Sequence, residues 1–227
     1  MNVLITQSNY IPWKGYFDSI ALTDTFVVYD DMQYTKRDWR NRNLIKTESG
    51  LKWLSIPVEV KGKFDQKIKD TKISDNSWTL SHLDNLKQNY KKAACYKEVS
   101  EWVEGLYRNC KFEYITEVNV YFIKEICSFL NIDCNIRFSN EFELHEERTQ
   151  RLVNICVKLG ADTYSSGPAA KAYMEEQRFA DAGIAINYFD HSGYKEYQQL
   201  NPPFEHGVTI LDLIYNEGSN ARSFLKY

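Results

Sequence analysis

The sequence offers little covalent or metal scaffolding. Its five cysteines, Cys95, Cys110, Cys127, Cys134 and Cys156, are odd in number, and no two stand in CxxC spacing. That argues against a disulfide framework or a zinc ribbon and fits reduced thiols in a cytoplasmic protein. Cys127 and Cys156 fall on apolar positions of helical patterns and read as buried structural thiols. Four histidines, His82, His145, His191 and His206, show no metal-ligand spacing with one another or with a cysteine, so no metal site is expected from them. No apolar run approaches the ~18 residues of a membrane helix, and the opening MNVLITQSNY lacks the basic start and long apolar stretch of a signal peptide. Membrane insertion is therefore not expected. The net charge of −3 gives no general attraction to nucleic acid. Also absent are a GxSxG elbow, a P-loop, a GxGxxG turn, a kinase motif set, a cysteine flanked like a nucleophile, internal repeats and low-complexity segments. The residues name no cofactor.

What the chain does have is aromatic surface. Phe, Trp and Tyr make up 15% of it, with sixteen Tyr. Tyr and Trp combine a flat apolar face with a polar handle, which suits a pocket for a polar ring and equally suits an aromatic-rich core. At 227 residues, 43% apolar and 26% charged, the chain is long enough to bury a real core and fits one large domain or one domain with a small subdomain.

Residues 2–6 read as a strand, Lys14 to Leu22 as a helix and Phe26 to Tyr29 as a second buried strand, a unit that gives neighbouring parallel strands. Arg42 to Lys46 and Leu51 to Val58 suggest a hairpin turning at Ser49-Gly50. Residues 61–76 read as a surface excursion with one short strand, Lys67 to Ile73. Three helices follow in a mainly helical segment, 78–131: Trp78 to Ala94 with Leu80, Leu83, Leu86 and Tyr90 in phase, Lys97 to Asn109, and Thr116 to Leu130 with Thr116 as its cap. The last third alternates: strand 135–138, helix 146–159 stopped by Gly160, strand 163–165, helix 169–181, strand 184–189, and a final helix from Thr209 to Tyr215. The expectation is an α/β fold: a Rossmann-like parallel sheet flanked by helices, with a helical insertion and a small β-hairpin.

In such sheets ligands sit at the carboxyl ends of strands. Gln7 to Trp13, Asp30 to Arg42 and Ser165 to Lys171 all leave a strand there and turn polar at once. The second of these lies within VYDDMQYTKRDWRNRN, residues 28–43. Asp30 and Asp31 are candidate catalytic carboxylates. At a strand end they point to opposite sides, one toward a pocket and one toward Arg37 or Arg40. Structural pairing, service as a base and Mg²⁺ binding all stay open for them. Arg37, Arg40 and Arg42 offer forked donors for phosphate. Gln7, Tyr10, Gln33, Asn41 and Asn43 suit sugar hydroxyls, and Trp13, Tyr16, Tyr34 and Trp39 suit stacking. The candidate substrate-binding set is Gln7, Tyr10, Trp13, Gln33, Arg37, Trp39, Arg42 and Asn43. His82, early in its helix, is the candidate histidine base, and His191 follows a strand and could also reach the strand ends.

The chain resembles the WbqC-like family over nearly its whole length. The resemblance rests on Gln7, Tyr10, Trp13, Gly15-Tyr16-Phe17, Tyr29-Asp30-Asp31-Met32-Gln33-Tyr34, Lys36-Arg37, Trp39 and Asn41-Arg42-Asn43. It continues through Pro57, Gln88 to Ala93, Leu159 to Tyr164 and Ile210-Leu211-Asp212-Leu213. Ser8 stands where the family commonly has Pro, which leaves the shape of the first loop open. The resemblance implies a single domain over residues 1–227 and a role in surface-polysaccharide, including O-antigen, gene clusters. One task in that setting is acyl or aminoacyl transfer to the amine of a nucleotide-linked amino sugar, from an acyl carrier protein or an activated amino acid. A weaker similarity links the first forty residues to nucleotidylyltransferase-like folds, but no His-x-x-His or His-x-Gly-His is present at the turn. Two readings stand at this point: a transferase, and a non-catalytic nucleotide-sugar-binding module or scaffold for glycan assembly.

Overall fold

The computed structural model describes residues 1–144 and 147–227. The chain opens with β1 (Asn2–Thr6), α1 (Lys14–Ala21) and β2 (Thr25–Val28). A hairpin follows, β3 (Arg42–Thr47) and β4 (Gly50–Ser55), with Gly50 at φ 109° in the turn. Three helices come next: α2 (Trp78–Tyr90), α3 (Tyr96–Asn109) and α4 (Ile115–Phe129). The last third runs β5 (Asn135–Phe138), α5 (Arg148–Leu159), β6 (Thr163–Ser166), α6 (Glu176–Asp181), β7 (Ala185–Tyr188) and α7 (Ile210–Glu217).

The five strands outside the hairpin form one parallel sheet in the order β5-β2-β1-β6-β7. Counted among themselves this is the order 3-2-1-4-5, so chain direction across the sheet reverses between β1 and β6. Alternation along the strands divides the core. Leu4, Phe26 and Val28 face α1 to α4, α7 and the hairpin's Ile45 and Leu54. Val3, Ile5, Val27 and Tyr29 face α5 and α6 through Leu152, Ile155 and Phe179. Burial on both faces explains why these strands read as short apolar runs. Gly160 ends α5 at φ 68°, where a Cβ is disfavoured.

Several expected elements differ. Lys67 to Ile73 is not a strand: residues Ile68–Asp70 form a 3₁₀ turn, and Lys67, Lys72 and Ile73 make only isolated bridges. The expected helix over 169–181 is two pieces, a 3₁₀ turn over Pro168–Ala172 and the short α6. Thr116 does not cap α4, which starts one residue earlier. Its Oγ1 instead donates to buried Asp30 at 2.6 Å. The expected first residue of α5, Glu146, lies outside the described residues, as does His145. Cys127 and Cys156 are buried, and burial pushes each thiol up to about 12.

Candidate functional site

The reversal between β1 and β6 opens a cleft of about 630 Å³ at the carboxyl ends of the strands. Gln7 after β1, Tyr29 and Gln33 after β2, Ser166 at the end of β6 with Gly167 after it, and His191 after β7 all line it. A second hollow of about 690 Å³ lies beyond, lined by Asn9, Trp13, Trp39, Asn43, Tyr194 and His206 among others. Trp13 and His191 line both and form the boundary between them, their rings 5.2 Å apart and nearly edge to face. The Gln7–Trp13 bend and the ribbon after Tyr29 therefore do share a hollow.

The sequence builds this boundary locally. Trp13 folds back over the start of α1, and a Cβ on Gly15 would lie 2.3 Å from its ring. Gly15 is the residue that lets the indole lie there. Ile11 sits at φ 36°, and the Asn43 amide holds the bend by donating to the carbonyls of Tyr10 and Ile11 at 3.0 and 2.9 Å. The backbone N–H of Tyr10 donates to the Trp39 carbonyl at 3.0 Å. Arg40 donates to the side chains of Asn9 and Gln7, which docks the ribbon on the bend. Across the second hollow, Tyr194 donates to Asp18 at 2.6 Å and packs against Trp13. Burial lowers His191 from its ordinary value, against the pull of Asp18, and lowers His206, with Lys14 acting in the same direction. Both rings are thereby biased toward the neutral form. The Nδ1 of His191 is buried with no hydrogen-bond partner among the described residues.

The sequence candidates divide among several places. Gln7, Trp13 and Gln33 line the cleft, and Trp13, Trp39 and Asn43 line the second hollow. Asp30 and Asp31 meet in a third, smaller hollow of about 350 Å³. Asp30 accepts from the Ser8 N–H at 2.8 Å, the Ser8 hydroxyl at 2.6 Å and Thr116. Burial raises its carboxyl, with these donors opposing. Proline in place of Ser8 would supply neither donor, so the first loop is tied down here by a contact proline cannot make. Asp31 does not pair with Arg37 or Arg40. It takes Lys69 at 2.5 Å, Lys67 at 3.7 Å and the Ser139 hydroxyl at 2.7 Å, because the excursion after the hairpin brings both lysines back to this strand end.

Tyr10 and His82 line neither large hollow. Both are buried in an aromatic cluster with Trp78, Tyr107 and Phe122. Tyr10 Oη lies 2.9 Å from His82 Nδ1 and 2.7 Å from Tyr107 Oη, and His82 Nε2 meets the Ser55 carbonyl at 3.2 Å. Burial pushes His82 down to about 4. Arg37 and Arg42 also lie outside both hollows. Arg42 stacks 3.9 Å over Trp53 and donates to the Arg37 carbonyl. Among the described residues no group of three or more His, Cys, Asp or Glu is placed to hold a metal ion, and no helix is long and apolar enough to cross a membrane.

Sequence reasoning missed Asn9, Tyr29, Arg148, Tyr173, Tyr194 and His206. For Arg148 a signal existed: it opens the helix after β5, and in a parallel sheet such a helix starts on the carboxyl side of the strands. Tyr194 and His206 sit in irregular chain, and no periodic pattern marks them.

The molecule's likenesses fit this geometry without extending it. A model of the WbqC-like protein family matches residues 7–224. A protein of Mycobacterium tuberculosis (strain ATCC 25618 / H37Rv) named "Uncharacterized protein Rv1507c" is 45% identical over 225 residues, covering 99% of this chain and 97% of that one. No solved structure matches. The chain belongs to the WbqC-like protein family.

Proposed function

We propose that this protein is a cytoplasmic enzyme of surface-polysaccharide sugar assembly that transfers an acyl or aminoacyl group to the amine of a nucleotide-linked amino sugar. One observation carries the reading: His191 stands at the join of two hollows, and burial biases its ring toward the neutral, proton-accepting form. Together the hollows are large enough for a ligand with two chemically distinct ends. In the proposed step the free amine of the sugar attacks the carbonyl carbon of a thioester or activated aminoacyl ester. The new C–N bond forms as the C–S or C–O bond to the carrier breaks. His191 takes the proton that the amine nitrogen sheds and returns it to the departing thiolate or oxyanion. The amide NH₂ of Asn9, whose oxygen is held by Arg40, is the donor to the developing oxyanion. No covalent enzyme intermediate is needed, in keeping with the missing nucleophile motif.

The test is incubation with nucleotide-linked amino sugars and acyl-carrier thioesters or aminoacyl adenylates, followed by mass analysis. The expected result is an acyl mass gain on the sugar, reduced roughly 10²- to 10⁴-fold by His191→Gln. The second reading, a non-catalytic binding module, gains weight because Asp30, Asp31 and His82 are all engaged in structural bonds. Saturable binding without product across those donors would favour it.

A further inference from the structure

The two hollows differ in charge. Among the described residues, those lining the second hollow include no Lys, Arg, Asp or Glu. Those lining the cleft between β1 and β6 include one charged side chain, Arg148. Among the described residues no carboxylate lies within ion-pair distance of it. The neighbouring Glu147 points its carboxylate at the N–H groups of Thr149 and Gln150, with Arg178 at 3.7 Å. The start of α5 is thus already satisfied by Glu147, which leaves the guanidinium as the charged group lining the cleft among the described residues. Arg148 lies over the ring of Tyr173, its carbon 5.3 Å from the centroid, and Tyr173 lines the same cleft. Arg148 is also close enough to Tyr29 to act on it: burial raises that phenol, and the Arg151 and Arg148 guanidiniums oppose the rise. Gly167, Ala169 and Ala170, which also line the cleft, are small enough for a ligand to approach backbone.

We infer that the cleft between β1 and β6 is a diphosphate site with Arg148 as its clamp, so that a nucleotide-linked ligand enters with its phosphates at Arg148 and its sugar in the uncharged hollow beyond Trp13 and His191. This rests on the functional reading above for the sugar end alone; the phosphate end stands on the charge distribution. It reassigns phosphate recognition from Arg37, Arg40 and Arg42, since Arg40 is bonded to Gln7 and Asn9, Arg42 is stacked on Trp53, and Arg37 lies outside both hollows.

Calorimetric titration with UDP, GDP, ADP and dTDP tests it, using the full chain and its Arg148→Ala and Arg148→Lys variants, each checked for an unchanged far-ultraviolet spectrum. At least one nucleoside diphosphate is expected to bind. Arg148→Ala should weaken that binding about 10- to 100-fold, and Arg148→Lys should weaken it less, because the charge stays while the fork is lost. Wild-type affinity in Arg148→Ala, or no binding of any of the four, overturns the proposal. Arg148-dependent binding without acyl transfer would sink the transferase reading and leave this site standing. Transfer with Arg148-independent binding would do the reverse.

Discussion

His82 illustrates how a polar residue type misleads a sequence reading. In α2 the buried positions are Trp78, His82, Leu86 and Tyr90, a strict four-residue ridge, while Leu80 is 58% exposed. Counting Leu80 and Leu83 as the inward face puts His82 outside. The imidazole is in fact a core residue whose two nitrogens are taken up by Tyr10 and Ser55. This has a measurable cost in acid. An unfolded imidazole takes its proton near 6.5, whereas the folded one holds out to about 4. Between those values the unfolded chain binds more protons, so the stability linked to neutral His82 is complete above pH 6.5 and is lost as pH falls toward 4. The loss is on the order of 3 kcal/mol. Buried Asp30 and Asp212 act in the opposite sense: burial raises both, and their contribution is lost as pH rises above about 3.8. Urea unfolding from pH 7 to 4 is therefore best read as wild type minus His82→Gln, and that difference should shrink steadily toward pH 4. A difference independent of pH would remove the argument.

At the level of elements, what was legible is what carries a period. The parallel sheet, the hairpin and the three central helices all announce themselves through apolar spacing. The excursion from 61 to 76 does not, because its lysines and isoleucines alternate without a partner strand to form a ladder. The bend from Gln7 to Trp13 was legible as polar and aromatic, but its role was not. Its residues divide between making the site and holding the loop, and nothing in their type says which. Asn43 is the sharpest example. It resembles a sugar-binding amide, yet its NH₂ is spent on the carbonyls of Tyr10 and Ile11, and its oxygen accepts from the Leu44 N–H at 2.8 Å. Asn43→Ala should cost about 2–3 kcal/mol in urea unfolding, as expected when buried backbone groups lose their partners. Asn43→Asp, which keeps one acceptor and loses the donors, should be no better. If Asn43→Ala unfolds like wild type and loses only ligand binding, the structural role fails.

Across the whole molecule, the second hollow is assembled from distant parts of the chain, and α1 is where they are tied together. Asp18 accepts from the Tyr194 hydroxyl and from the N–H groups of Lys226 and Tyr227 at 2.8 and 3.0 Å. Lys14 donates to the Lys195 carbonyl at 2.8 Å beneath the rings of Tyr194, Tyr197 and Phe204, and burial pushes it down to about 8. Farther along, Asp212 of α7 accepts from Tyr90, Tyr197 and Gln199 at 2.6 to 2.8 Å. This satisfies a buried carboxylate without a direct ion pair. Asp18→Ala should release the segment around Lys195, seen as roughly tenfold faster tryptic cleavage there, which corresponds to ~1.4 kcal/mol on a local opening. Unchanged cleavage would show that the lysine and the rings suffice.

The middle position of β1 carries a consequence for biosynthesis. Asn2 pairs with Thr163 on one side and its neighbour Val3 with Thr25 on the other. At ordinary elongation speeds β6 leaves the ribosome on the order of ten seconds after β1. Throughout that interval an apolar ribbon waits with one row of its peptide groups unmet. An edge left bare that long is open to off-pathway pairing, and the risk of aggregation falls mainly before residue 163 is made.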